Sequence, residues 1–123
     1  MSDTLKRLWE SSEQFFRRFD SFPPDLDAQL RCVAEETAEL YIATKEAAWL
    51  EHEGNLDAHA VACGAVAREA ADVIVTVQGV CMALGITAEQ LAAAIEQVAQ
   101  KNDSKTLDTH YVNSAGKIAR RDD

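Results

Sequence analysis

The sequence predicts an all-α fold, an antiparallel bundle of about four helices per chain whose core is completed by oligomerisation. Three observations carry this expectation. Alanine occurs 21 times, glycine 5 times and proline twice in 123 residues, a helix-forming composition with few breakers. Apolar residues recur at helical spacing over long stretches. The breakers that do occur cluster at Pro23-Pro24, Gly54-Asn55 and Gly85, and they divide the chain into four helical segments.

The first helix is expected from about Asp3 to Phe19, ending before Pro23-Pro24, which cannot continue it. The second starts near Asp25 or Asp27, either a good N-cap, and stops near Glu53 before Gly54-Asn55. The third begins near Asp57 and ends at Leu84, with Gly85 just beyond it. The fourth opens at Thr87, which forms a capping-box pattern with Gln90, and runs to about Lys101 or Asn102. One domain over residues 1–105 is expected, followed by a polar tail over 106–123 that orders only where it packs or meets a ligand.

Charge and composition exclude several function classes. Lys plus Arg total 12 and Asp plus Glu total 21, a formal charge of −9. Such a surplus argues against nucleic acid or an anionic membrane as partner and suits a protein that collects cations. The most apolar run, Ala70 to Ile86, is interrupted by Asp72, Thr76 and Gln78 and is too polar to span a bilayer. No apolar signal-peptide core opens the chain, and Cys32, Cys63 and Cys81 form no CxxC pair. Buried thiols in a reducing cytoplasm are expected. His52, His59 and His110 are expected to face solvent.

The most informative residues are acids in apolar company. Drawn at about 100° per residue, the third helix places Ala62, Ala65, Glu69, Val73, Thr76, Val80 and Leu84 on one face. Glu69 therefore sits within a small-residue stripe, with Asp72 one turn on at its border. On the second helix Leu26, Leu30, Val33, Thr37, Leu40 and Thr44 form the apolar face. Glu36 and Glu39 lie round one flank of it, and Glu35 points further out. A hairpin folded at Gly54 sets Glu39 opposite Glu69 and Glu36 opposite Asp72. Four acids then converge about 22 Å from the turn, at about 1.5 Å per residue. Like charges so placed repel unless cations neutralise them, and an all-oxygen donor set suits Mg²⁺ first, with Mn²⁺ as a substitute. There is no ExxH, which disfavours a carboxylate–histidine di-iron bundle.

EExxE at Glu35, Glu36 and Glu39, followed by ExxD at Glu69 and Asp72, resembles the signature of the all-α nucleoside triphosphate pyrophosphatases. That superfamily includes MazG-like proteins, dimeric dUTPases and phosphoribosyl-ATP pyrophosphohydrolases. The stretch QVAQKNDSK, Gln97 to Lys105, resembles the Asn-x-x-Lys segment of MazG-like members, and EQFFRRF before a proline loop fits as well. The segment between the motif halves, Leu40 to Arg68, is long, and the tail shows no substrate signature.

The resemblance implies Mg²⁺-dependent cleavage of a nucleoside triphosphate to monophosphate and pyrophosphate by a homo-oligomer, a dimer or tetramer. It implies Glu36, Glu39, Glu69 and Asp72 as metal ligands. Glu35 is either a ligand for a further ion or the base that orients the attacking water. Lys105 and Lys101 would contact phosphates, and Asn102 the sugar or base. Phe15 and Phe19, four residues apart on the first helix, are candidates for lining the base pocket. The competing reading is a non-catalytic helical assembly, or a metal- or nucleotide-binding module with the same fold.

Overall fold

The structure, a computed structural model, describes residues 3–122. The elements run α1 (Asp3–Arg18), α2 (Leu26–His52), α3 (Leu56–Ala83), α4 (Ala88–Asp103), β1 (His110–Val112) and β2 (Ile118–Arg120). The all-α class is as expected, with four helices among the described residues. Capping decides between the alternatives the sequence left open. Asp25 accepts a bond from the Ala28 N–H at 2.8 Å and so caps α2. Asn55 does the same for α3 through the Ala58 N–H at 3.3 Å, which starts that helix slightly earlier than Asp57. Gly54 and Gly85 follow their helices at φ +75° and +76°, left-handed values that glycine adopts without a Cβ penalty.

The chain divides into two compact units, residues 3–88 and residues 89–122 of those described. In the first, α2 and α3 pack along their length and α1 lies against α3. Several contacts report the antiparallel register. The His59 imidazole Nδ1 meets the Ala47 carbonyl at 2.7 Å near the turn. At the far end Gly79 faces Gln29, so closely that a Cβ at Gly79 would run into the Gln29 side chain. Both pairs agree with a hairpin folded at Gly54.

Buried apolar side chains are few: Trp9, Ala47 and Met82. Ser12, Gln29, Thr76 and Gln78 are buried beside them. Gln78, at 1% exposure, donates from Nε2 to the Leu5 carbonyl at 3.2 Å and ties α3 to α1. Much apolar surface stays open, including Leu30, Tyr41, Ile42, Trp49 and Val61. The α2 stripe anticipated from the helical wheel is only partly covered: Leu30, Thr37 and Thr44 are exposed. The two threonine hydroxyls instead donate back to the Val33 and Leu40 carbonyls at 2.7 and 2.8 Å. The packed side of α2 is centred further round, on Gln29, Glu36, Leu40 and Ala47, of which Gln29 and Ala47 are buried. The cysteines also differ from expectation. Cys63 is exposed and Cys32 and Cys81 are half-buried, because the helix pair is too thin to enclose all three.

The second unit contains most of α4 and a two-stranded antiparallel hairpin, His110 opposite Arg120, Tyr111 opposite Ala119 and Val112 opposite Ile118. The segment expected as a polar tail is therefore built by local bonds. Asn113 Oδ1 accepts from the N–H groups of Ala115 and Lys117, both at 3.0 Å, and closes the turn. The Arg121 N–H reaches the Thr109 carbonyl at 2.9 Å, and the Arg121 side chain bonds the Leu107 carbonyl. Among the described residues no helix is long and apolar enough to cross a membrane.

The close approach at Gly79 yields a stability test. Gly79→Leu forces a side chain between α2 and α3, and overpacking of this kind costs about 1–3 kcal/mol. Urea melts should show a lower midpoint than wild type. An unchanged midpoint would mean that Gln29 and Gly79 do not set the spacing of the hairpin.

Candidate metal centre

Three carboxylates from the two long helices meet at one level: Glu36 from α2, Glu69 and Asp72 from α3. One oxygen of each lies within 4.8 Å of the others. Glu39, exposed on α2, borders the group and acts on both Glu36 and Glu69 as a neighbouring charge. This is the set the hairpin register anticipated. It forms because an i,i+3 pair on each helix spans one turn, and antiparallel packing sets the two pairs face to face.

Two oxygens in the cluster are buried without any hydrogen-bond partner, Oε2 of Glu36 and Oε2 of Glu69. Orphaned buried acceptors are uncommon in folded proteins and call for an explanation. The electrostatics agree with the geometry. Glu36 is held above the ordinary glutamate range first by burial, then by the charges of Glu39, Asp72 and Glu69. Glu69 is raised first by burial, then by the charges of Glu39 and Asp72. Arg68, beside Glu69 in sequence, works the other way and favours its charged form. An isolated acid site thus retains protons that a cation would displace. Four oxygen donors and no nitrogen or sulfur fit a hard dication such as Mg²⁺.

Glu35 is exposed on α2, and the acids acting on Glu36 and Glu69 do not include it. Phe15 and Phe19 are exposed on α1 with ring centroids 5.1 Å apart, an aromatic pair open to solvent. Trp9 is buried and takes no part in such a surface. Lys101, Asn102 and Lys105 belong to the second unit, where the Lys105 ammonium donates to Asn102 Oδ1 at 3.4 Å.

Sequence reasoning missed three features. Arg68 was signalled only by its place next to Glu69. His59 is half-buried rather than solvent-facing, because the register carries it to the Ala47 carbonyl; its other ring nitrogen lies 3.4 Å from Cys63 Sγ. His110 is likewise half-buried, 2.7 Å from the Thr109 hydroxyl in a hairpin that no periodicity announced. Compared with known proteins, the chain matches no family model, no curated protein and no solved structure.

The raised acids predict a pH dependence with a definite sign. A carboxyl that binds its proton more tightly folded than unfolded adds stability at low pH. That contribution is complete below the ordinary value of 4.5 and is lost as pH rises through the raised folded value. In EDTA, wild type should therefore gain stability relative to a Glu36→Gln/Glu69→Gln variant as pH falls from 7 toward 4.5. Thermal melts across that range check it. Parallel curves for the two proteins would show that the acids do not titrate as a buried group.

Proposed function

We propose that the protein is a Mg²⁺-dependent nucleoside triphosphate pyrophosphohydrolase of the all-α superfamily that contains the MazG-like proteins. It would cleave a nucleoside or deoxynucleoside triphosphate to the monophosphate and pyrophosphate, a reaction suited to clearing unwanted nucleotides in the cytoplasm. The observation that carries this reading is the pair of orphaned oxygens on Glu36 and Glu69, buried inside a cluster of four acids. Folding brings these charges together at a cost, which Arg68 offsets only at Glu69.

In this reading Glu36, Glu39, Glu69 and Asp72 hold Mg²⁺, with Mn²⁺ as a substitute. A bound hard dication supplies neutralisation between the acids and a triphosphate and polarises the phosphoryl oxygens. Glu35, one residue from Glu36 and open to solvent, would either hold a further ion or act as the base that orients the attacking water. Lys101 and Lys105 act as point charges toward phosphates, and Asn102 toward sugar or base. Phe15 and Phe19 offer aromatic faces to a nucleobase. The open apolar side chains of α2 and α3 support a homo-oligomer, since a second copy covers such surface without new chemistry.

Incubation with a panel of nucleoside triphosphates and Mg²⁺, with pyrophosphate measured, tests the reading directly. Turnover is expected for at least one substrate, and Glu69→Gln should lower it about 100-fold or more, as loss of a group that organises transition-state charge does. Mg²⁺ should raise the melting temperature of wild type and leave that of Glu69→Gln nearly unmoved, because binding to the native state alone is what stabilises. Absence of turnover on every triphosphate, with the metal-dependent shift retained, would favour the non-catalytic metal-binding module. A destabilised, metal-indifferent Glu69→Gln variant beside a metal-indifferent wild type would sink the metal assignment itself.

A further inference from the structure

Near the Gly54 turn a second group of reactive side chains assembles from His59, Cys63 and Glu51. His59 and Cys63 lie one turn apart on α3, and Glu51 is in the last turn of α2. The Ala47 carbonyl can only accept a hydrogen bond, so the His59 nitrogen 2.7 Å from it, Nδ1, carries the proton. In the neutral ring Nε2 is then the acceptor, and the Cys63 thiol 3.4 Å away donates to it. Glu51 sets a carboxylate oxygen 4.0 Å from the same Nε2, within ion-pair reach of the ring once it takes up a proton. A thiol bonded to an imidazole whose other nitrogen is anchored has the arrangement of an activated nucleophile.

The surroundings select the chemistry. Cys63 is exposed, and so are Ala60 and Ala67, its neighbours one turn to either side, which carry only methyl groups. Cys63 also lies well inside the helix Leu56–Ala83, where backbone N–H groups are spent on the helix itself. Such backbone offers an oxyanion no donors, so acyl transfer is not the chemistry of this group. Displacement at sulfur asks for no oxyanion donors. It requires a proton acceptor for the attacking thiol and a proton donor for the leaving thiolate, and one imidazole serves as both. An internal disulfide is out of reach. Cys81 is 18 residues along the same helix, about 27 Å at about 1.5 Å per residue. The hairpin register sets Cys32 at the level of Thr76, about 20 Å from Cys63 by the same rise. A disulfide requires Cα atoms within about 7 Å.

We propose that Cys63 is a thiol–disulfide exchange site, served by His59, that takes a low-molecular-weight disulfide and ends as a mixed disulfide. The Cys63 S–H proton passes to His59 Nε2, and the sulfur attacks one sulfur of the incoming disulfide. A new S–S bond forms as the old one breaks. The departing thiolate takes the proton from Nε2 and leaves as a thiol. The incoming disulfide is the oxidant: one of its sulfurs is reduced to a thiol as Cys63 is oxidised. The site is independent of the hydrolase reading and uses none of the acid cluster.

The full chain in EDTA, treated at neutral pH with hydroxyethyl disulfide and followed by peptide mass spectrometry, tests the site. Cys63 should gain the hydroxyethylthio group about tenfold faster or more than N-acetylcysteinamide in the same buffer, and faster than Cys32 or Cys81. Cys63→Ser should remove this fast adduct. His59→Asn retains an N–H donor for the Ala47 carbonyl but removes Nε2, and should slow the reaction about tenfold or more. It should slow dithiodipyridine less, because a leaving thiopyridone needs no proton from the ring. A Cys63 no faster than the free thiol overturns the proposal, and that comparison stands even if a variant fails to fold. Equal rates in wild type and His59→Asn overturn it too. So does slowing of both disulfides by the same factor, which would leave His59 a structural tether to Ala47.

Discussion

Like charges confined to one level of a helix pair are the constraint around which the rest of this protein is arranged. Glu36, Glu39, Glu69 and Asp72 meet between α2 and α3, and two of their oxygens are buried with no partner. A carboxylate stripped of water needs a donor, a proton or a cation. Arg68 is the cation that acts on Glu69, and it stands against several acids. The hairpin must therefore be held together elsewhere, and its other contacts have that character. Gln78 ties α3 to α1, His59 ties α3 to α2, and Gly79 admits Gln29 into the interface.

The same constraint accounts for how little of the apolar surface is enclosed. Two long helices crossing at a polar level cannot surround a large core, and α1 covers only part of α3. Trp9, Ala47 and Met82 are buried, while Leu30, Tyr41, Ile42 and Trp49 remain open. Exposed apolar area on this scale in a small chain is what the proposed homo-oligomer would cover. The proposed homo-oligomer follows from that area rather than from any single contact.

Charge is distributed unevenly along the chain. Residues 3–88 hold 15 Asp and Glu against seven Lys and Arg, and residues 89–122 hold five of each, with the five cations all within 101–121.

Much of this was legible in the chain itself, and the reason is geometric. A helix has one period and a short turn has few solutions, so Gly54, Asp25 and the i,i+3 spacing of Glu36 with Glu39 and of Glu69 with Asp72 determined both the hairpin and the meeting of its acids. Local rules failed where long-range packing or side-chain-to-backbone bonds decide the outcome. The wheel put Leu30, Thr37 and Thr44 on the apolar face of α2, but they are exposed and the packed side lies toward Gln29, Glu36 and Ala47, with Gln29 against Gly79. His59 looked like a solvated turn residue until the register brought the Ala47 carbonyl to it. The tail carries no strand periodicity, and its hairpin depends on Asn113 and Arg121 reaching backbone groups up to 14 residues away. Periodicity along one element is written in the sequence; the burial that orphans two carboxylate oxygens exists only once α2 and α3 have closed on each other.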